Sequence, residues 1–185
     1  MKKIILGITG ASGSLYALEF LRIMSRQKVE VHLVISAAGE QVLKLELGME
    51  REELAPLVTC HYRIDDFAAP ISSGSAVFAG MAILPCSMGT LAAVAGGLSG
   101  NLIQRAADVT LKERRPLVLA VRETPLNRTH LTNMLRAHEA GAIICPAMPG
   151  FYYRPADLGE LARSFAGRVA EQLGFTVSDL PRWQG

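Results

Sequence analysis

Five runs along the chain are nearly unbroken in Val, Ile and Leu: Lys3–Thr9, Val29–Ile35, Met81–Pro85, Leu117–Arg122 and Ala142–Pro146. Continuous rather than alternating apolar character marks strands buried on both faces, and runs this short are strands rather than helices. Between them, apolar residues recur at helical spacing, as in Leu15, Leu18, Leu21 and Ile23, and again in Leu158, Leu161, Phe165, Val169 and Leu173. Strand and helix in alternation build right-handed βαβ units, so the expected fold is a parallel, doubly wound α/β sheet. No repeat, low-complexity stretch or linker interrupts the pattern, and a single domain over residues 1–185 is expected.

The residues after each strand carry the chemistry. They read TGASGS (Thr9–Ser14), then Ser36, PCSMGT (Pro85–Thr90), RETP (Arg122–Pro125) and PAMPGFYY (Pro146–Tyr153). In open parallel sheets the carboxyl ends of the strands form the ligand crevice. Glycine, serine and proline are ordinary loop residues. Arg122 and Glu123, emerging together from an apolar strand, are not explained that way.

Gly10 and Gly13 let the backbone approach a ligand, and the helix that follows offers free N–H groups to an anion. No lysine of the P-loop type follows these glycines, which argues against ATP. No acidic residue ends the second strand, where a dinucleotide fold places one for the ribose; Ser36 is there instead. The turn therefore suits a mononucleotide phosphate better than NAD. Ser87 and Thr90, at a helix start near Gly89, form a second hydroxyl-and-amide pocket, for which plain N-capping is the alternative reading. With no GxSxG, Ser12 and Ser87 are poor acyl-enzyme nucleophiles, and Cys86 beside them reads as a small buried residue.

Composition narrows the field. A net charge of +2 and no basic run interleaved with aromatics argue against nucleic acid. Lys112, Arg114 and Arg115 form the densest basic cluster, which a solvated loop would also explain. The three cysteines, Cys60, Cys86 and Cys145, form no CxxC, and the four histidines show no ligand spacing, so no metal is expected. His32, inside a strand, reads as structural. The N-terminal apolar run is too short for a signal segment or a membrane span, so no membrane partner and a cytoplasmic location are expected. Half the residues are apolar and 19% are charged, which points to oligomer interfaces as well as a core.

TGASG, SSGS (Ser72–Ser75), PCSMGT, RAADVTLKERRPLVL (Arg105–Leu119), VRETPL, PAMPGFYYRP and the closing RWQG together span nearly the whole chain. In that combination the sequence resembles the flavin prenyltransferase family, the UbiX or Pad type once described as aromatic-acid decarboxylases. The resemblance implies a flavodoxin-like Rossmann domain that binds FMN and assembles as trimers and dodecamers. It implies transfer of a dimethylallyl group from a dimethylallyl phosphate to N5 and then C6 of reduced FMN. The product is prenylated FMN, the cofactor of UbiD-type decarboxylases. Carried over by position, Gly10, Ala11, Ser12, Ser36, Ser87, Met88, Gly89, Thr90 and Arg122 correspond to FMN contacts. Glu46, Arg105, Lys112, Glu123, Tyr152 and Arg168 correspond to prenyl-phosphate and catalytic positions.

That assignment is chemically coherent. Ionising an allylic phosphate leaves an anion for Lys112, Arg122 and Arg168, each charged hydrogen bond contributing roughly 1.5–3 kcal/mol. The allyl cation suits an aromatic face, which Phe67 of DDFAAP would offer; many relatives carry tryptophan there, a stronger π donor. Glu123 or the departing phosphate would take the C6 proton, while Glu46 with Ser12 would manage protons near N5. Two other readings are a cysteine-decarboxylating flavoprotein of the same fold and a non-catalytic FMN carrier. The first needs an early catalytic histidine, yet His32 is the only histidine among the first 60 residues. The second gives no reason to gather Lys112, Glu123, Tyr152 and Arg168.

Overall fold

A computed structural model describes residues 2–183, so the last two residues of RWQG lie outside the described residues. In chain order the elements are β1 (Lys3–Ile8), α1 (Ser14–Arg26), β2 (Glu30–Ile35), α2 (Ala37–Leu47), β3 (Cys60–Tyr62), β4 (Gly80–Cys86), α3 (Met88–Ala95), α4 (Leu102–Lys112), β5 (Leu117–Val121), α5 (Arg128–Glu139), β6 (Ile143–Ile144) and α6 (Leu158–Gln172). All five apolar runs are strands, within a residue or two at their ends. The last is trimmed to Ile143–Ile144.

The six strands lie in the order β3-β2-β1-β4-β5-β6, and every pair is parallel. This is the doubly wound Rossmann order. Without the three-residue edge strand β3 the remaining five follow the flavodoxin order. In both descriptions the chain reverses direction across the sheet between β1 and β4, which opens a crevice at their carboxyl ends.

Period-two alternation divides the strands between two cores. Ile4, Leu6, Ile8 and Leu33 face α1 and α6 on one side, with Phe20, Leu21, Phe165 and Val169. Ile5, Val34, Ile83 and Leu119 face α3 and α4 on the other, with Leu91, Ile103 and Ala107. Strand β3 carries no apolar run. It is held by its ladder to β2 and by a 2.8 Å hydrogen bond between His32 Nδ1 and the Tyr62 hydroxyl. His32 is buried, and burial pulls its imidazole down from the ordinary value, as suits a structural histidine.

Candidate functional site at the carboxyl edge of the sheet

The loops after β1 and β4 are bolted together by one threonine. Buried Thr9 donates its hydroxyl to the Pro85 carbonyl at 2.9 Å and accepts the Ser87 N–H at 2.9 Å. Gly10 packs so closely on α2 that a Cβ there would meet the Ala38 Cβ at 2.5 Å. Ala11 is buried beneath, and Ser12 is exposed at the rim. These loops stand at the switch point and present short polar side chains.

Three of the helices that start at this edge, α1, α2 and α3, flank the switch point, and their caps are of two kinds. Ser36 accepts the Gly39 N–H at the start of α2. Ser87 accepts the Thr90 N–H at the start of α3 and donates to the Thr90 hydroxyl at 3.1 Å. Capping thus occupies both serines, and the exposed Gly89 with Met88 supplies the N–H groups beyond them. At α1 the N-cap is Gly13, which has no side chain to offer. Glu46, from the last turn of α2, takes that place: its carboxylate accepts the Gly13 N–H at 3.0 and 3.1 Å and the Ser14 N–H at 2.7 Å.

This changes the reading of the first glycine turn. The anion at the α1 N-terminus is the protein's own carboxylate, so of the three helix starts that flank the switch point those of α2 and α3, with Ser36, Ser87 and Thr90, offer amides to a phosphate. Partial burial pushes the Glu46 carboxyl up, but the Ser12 hydroxyl and the two N–H groups outweigh it and hold the group below the usual carboxylate range. Glu46 is ionised at neutral pH, with both oxygens engaged. Such a group orders the turn and supplies fixed negative charge more readily than it donates a proton.

A cleft of about 450 Å³ opens above these loops, lined by Ser12, Tyr16, Glu46 and Arg122 on its polar side and by Leu15, Leu47, Leu158 and Leu161 on its apolar side. That volume falls in the range of small-molecule sites. Leu158, the first of the apolar residues at helical spacing in α6, is exposed at this rim. Arg122 enters from the end of β5, anchored by its own N–H on the Cys86 carbonyl at 3.1 Å. Exposed Glu123 follows, its carboxylate accepting the Thr124 N–H at 3.0 Å. Cys86 is fully buried, and burial pushes its thiol up to about 12, so it is inert.

Other expected site residues stand elsewhere in the protomer. Tyr152 and Arg168 come together, but in a neighbouring cleft of about 400 Å³ shared with Glu171 and the segment Leu180–Trp183. There the Tyr152 hydroxyl donates to the Pro181 carbonyl at 3.2 Å, and Arg168 pairs with Glu171, which also holds Arg182 at 2.6 Å. Arg105 ties α4 to the Ser72 carbonyl at 3.1 Å and pairs with Asp108 at 2.9 Å. Phe67 is 48% exposed on the loop after β3 and lines neither cleft.

Lys112 is the clearest correction. It ends α4, just before β5 begins, and pairs with Glu113 at the amino edge of the sheet. The five residues of β5 separate it from Arg122, roughly 16 Å at the rise of a strand. No side chain spans that distance, so within one protomer Lys112 does not reach the crevice. Of its basic neighbours, Arg115 is no solvated charge either: it holds the Gly74 and Ala76 carbonyls at 2.8 and 2.7 Å. Tyr16, in contrast, lines the cleft although no motif of the sequence singles it out. The signal was the Gly13-x-x-Tyr16 spacing, which lays an aromatic ring over the glycine one helical turn earlier.

Among the described residues there is no cluster of His, Cys, Asp or Glu that could hold a metal ion, and no helix long and apolar enough to cross a membrane. A family profile described as Flavoprotein matches residues 1–150. The flavin prenyltransferase UbiX of Deinococcus radiodurans is 47% identical, covering 98% of this chain and 93% of that one. The flavin prenyltransferase UbiX of Escherichia coli K12 is 45% identical with full coverage of both. Among solved structures, AnUbiX in complex with FMN and dimethylallyl pyrophosphate superposes with a TM-score of 0.97 at 41% identity, covering 100% of this chain and 98% of that one. A dodecameric FMN-dependent UbiX-like protein from Escherichia coli O157:H7 gives 0.95 at 40% identity, covering 99% and 100%. A PPC decarboxylase, at 20% identity and a TM-score of 0.65, shares the fold alone. With relatedness at this level across its length, the chain belongs to the flavin prenyltransferase family.

Proposed function

We propose that the chain transfers a dimethylallyl group from a dimethylallyl phosphate to reduced FMN, and that the prenylated FMN so formed serves a UbiD-type decarboxylase. One observation carries the reading: Ser12, Glu46 and Arg122 meet in one cleft at the β1/β4 switch point, beside two open helix starts. The whole chain acts as one FMN-binding domain in a trimer-based, dodecameric assembly. Its three free cysteines fit a reducing cytoplasm.

Reduced FMN, when bound, supplies the nucleophilic N5 and C6 atoms. The residues present fit it: Gly10 and Ala11 let the backbone close on the ligand, while Ser36, Ser87, Met88, Gly89 and Thr90 offer hydroxyl and amide donors to its phosphate. Arg122 orients it from the end of β5. The protein's remaining work is to hold the allylic phosphate and to move protons, since alkylation at N5 and closure at C6 would each release one and closure would also protonate the prenyl double bond. Arg168 and Tyr152 bind the phosphate after leaving Glu171 and Pro181, and Arg105 adds positive charge from α4. Lys112 joins from a second copy of the chain, since its own crevice is a strand's length away. Fixed cations placed where charge develops on the leaving phosphate lower the barrier to C–O cleavage. Glu123 exchanges the proton that ring closure releases, and Phe67 of a neighbouring copy faces the allyl group. Ionised Glu46, with Ser12, fixes the polar wall near N5.

Anaerobic incubation with FMN, dithionite and dimethylallyl monophosphate, followed by mass analysis of the released flavin, tests this directly. One added five-carbon unit is expected. Unchanged FMN would sink the reading, and parallel runs with the diphosphate identify the preferred donor.

A further inference from the structure

Tyr16 is the one polar side chain of the crevice without a role so far. Its ring lies against Gly13, where an added Cβ would meet the Tyr16 Cδ2 at 2.7 Å. Gly13 also takes a φ of 123°, which only glycine adopts without strain. Phe165 packs on the ring from α6, with centroids 4.9 Å apart. The ring is therefore clamped between the β1–α1 turn and α6, and the side chain borders the cleft between Glu46 and Arg122.

Burial raises the phenol above its ordinary value, Arg122 draws it down, and Glu46 and Tyr153 push it up again; the net displacement is upward. The hydroxyl therefore keeps its proton at neutral pH. Glu46 directs its oxygens to the Gly13 and Ser14 N–H groups rather than to this hydroxyl. A protonated hydroxyl beside the cleft with no hydrogen-bond partner among the described residues is a donor waiting for a ligand acceptor. A phosphate is better served by the amide pockets at the α2 and α3 starts. Leu15, Leu47, Leu161 and Ala162 form the other wall and suit a flat, uncharged ring.

We propose that Tyr16 is a ligand-contacting residue whose hydroxyl donates a hydrogen bond to the accepting edge of the flavin ring. This rests on the reading of the chain as an FMN-binding protein. Tyr16→Phe keeps the ring on Gly13 and Phe165 while removing the donor. FMN titration by fluorescence quenching should give a dissociation constant raised about 2–10-fold, the size of one neutral hydrogen bond. The absorption band of the bound flavin should shift, with the thermal midpoint unchanged. Affinity and spectrum identical to wild type would overturn the proposal. Unchanged FMN binding with a raised KM for dimethylallyl monophosphate would overturn it too, by moving Tyr16 to the second substrate. If the substitution lowers the thermal midpoint, 3-fluorotyrosine at position 16 is a nearly isosteric and stronger donor. It should shift the flavin band opposite to phenylalanine, and no shift would refute the contact. A wild-type protein that binds no FMN at all would sink the underlying reading rather than Tyr16 alone.

Discussion

The two ends of the sheet differ in how their charges are held. At the carboxyl edge, the Glu46 carboxylate is fixed by two backbone N–H groups, and Arg122 rises from a buried strand. At the amino edge, Lys112 and Glu113 pair side chain to side chain in solvent. Backbone donors do not rotate away, so the first arrangement keeps its geometry with or without a ligand. The second is free to exchange partners. A site that needs preorganised charge at one place and a mobile cation from another copy would use the two edges in this way.

The largest effect should come from Glu123. Glu123→Gln should retain FMN yet slow prenyl transfer by about 10²–10⁴-fold, the range for a lost acid–base group. Anaerobic single-turnover spectra would show the reduced flavin persisting; wild-type rates in the variant would remove the proton role.

Next in size is Lys112, where the contrast between the edges becomes a question of assembly. Lys112→Ala should lower kcat/KM by roughly 10–100-fold, the value of one charged hydrogen bond. Co-expressing the Lys112→Ala and Glu123→Gln chains should restore part of the activity, because some mixed sites then hold both native residues. If Lys112 acted within its own protomer, mixing would restore nothing.

Much of this was legible beforehand. The five apolar runs marked the buried strands, and Arg122 and Glu123 at the end of one of them marked the crevice. Strand β3 was not legible, because Cys60, His61 and Tyr62 gain strand geometry from pairing with β2 rather than from a pattern of their own. Nor could spacing show that Glu46, on the last turn of a surface helix, caps another helix 33 residues earlier. The resemblance named Tyr152, Arg168 and Lys112 as site residues but not their places: the first two lie in a neighbouring cleft, the third at the far edge.

Packing gives a smaller contrast. Gly10→Ala should cost about 1–3 kcal/mol, because its Cβ would press on Ala38 within a rigid turn. Gly74→Ala meets only the flexible tips of Lys112 and Glu113 and should shift the thermal midpoint little. Equal losses would mean that the amino edge is as rigid as the crevice.

The smallest difference concerns pH and salt. The folded Glu46 carboxyl sits below its unfolded value, so its contribution is present above the ordinary carboxylate range and is lost as pH falls through the folded value. Glu46→Gln should cost about 1 kcal/mol at neutral pH, as for a lost helix cap, and the gap from wild type should close in acid. Glu113 is also held low, by Lys112, but it is exposed. Raising the salt should erase any effect of Glu113→Gln while leaving that of Glu46→Gln.

The packing of α1 on α6 has a consequence for synthesis. The first helix of the chain buries Leu18, Leu21 and Phe20 in the same core as Phe165, Val169 and Leu173. A ribosome must therefore release nearly the whole chain before that face of β1 is covered. Until then the nascent protein carries an unshielded apolar strand and helix, which chaperones would recognise. The wall of the crevice contributed by Leu158 and Leu161 is among the later parts to arrive, so the crevice is not walled until α6 has been made.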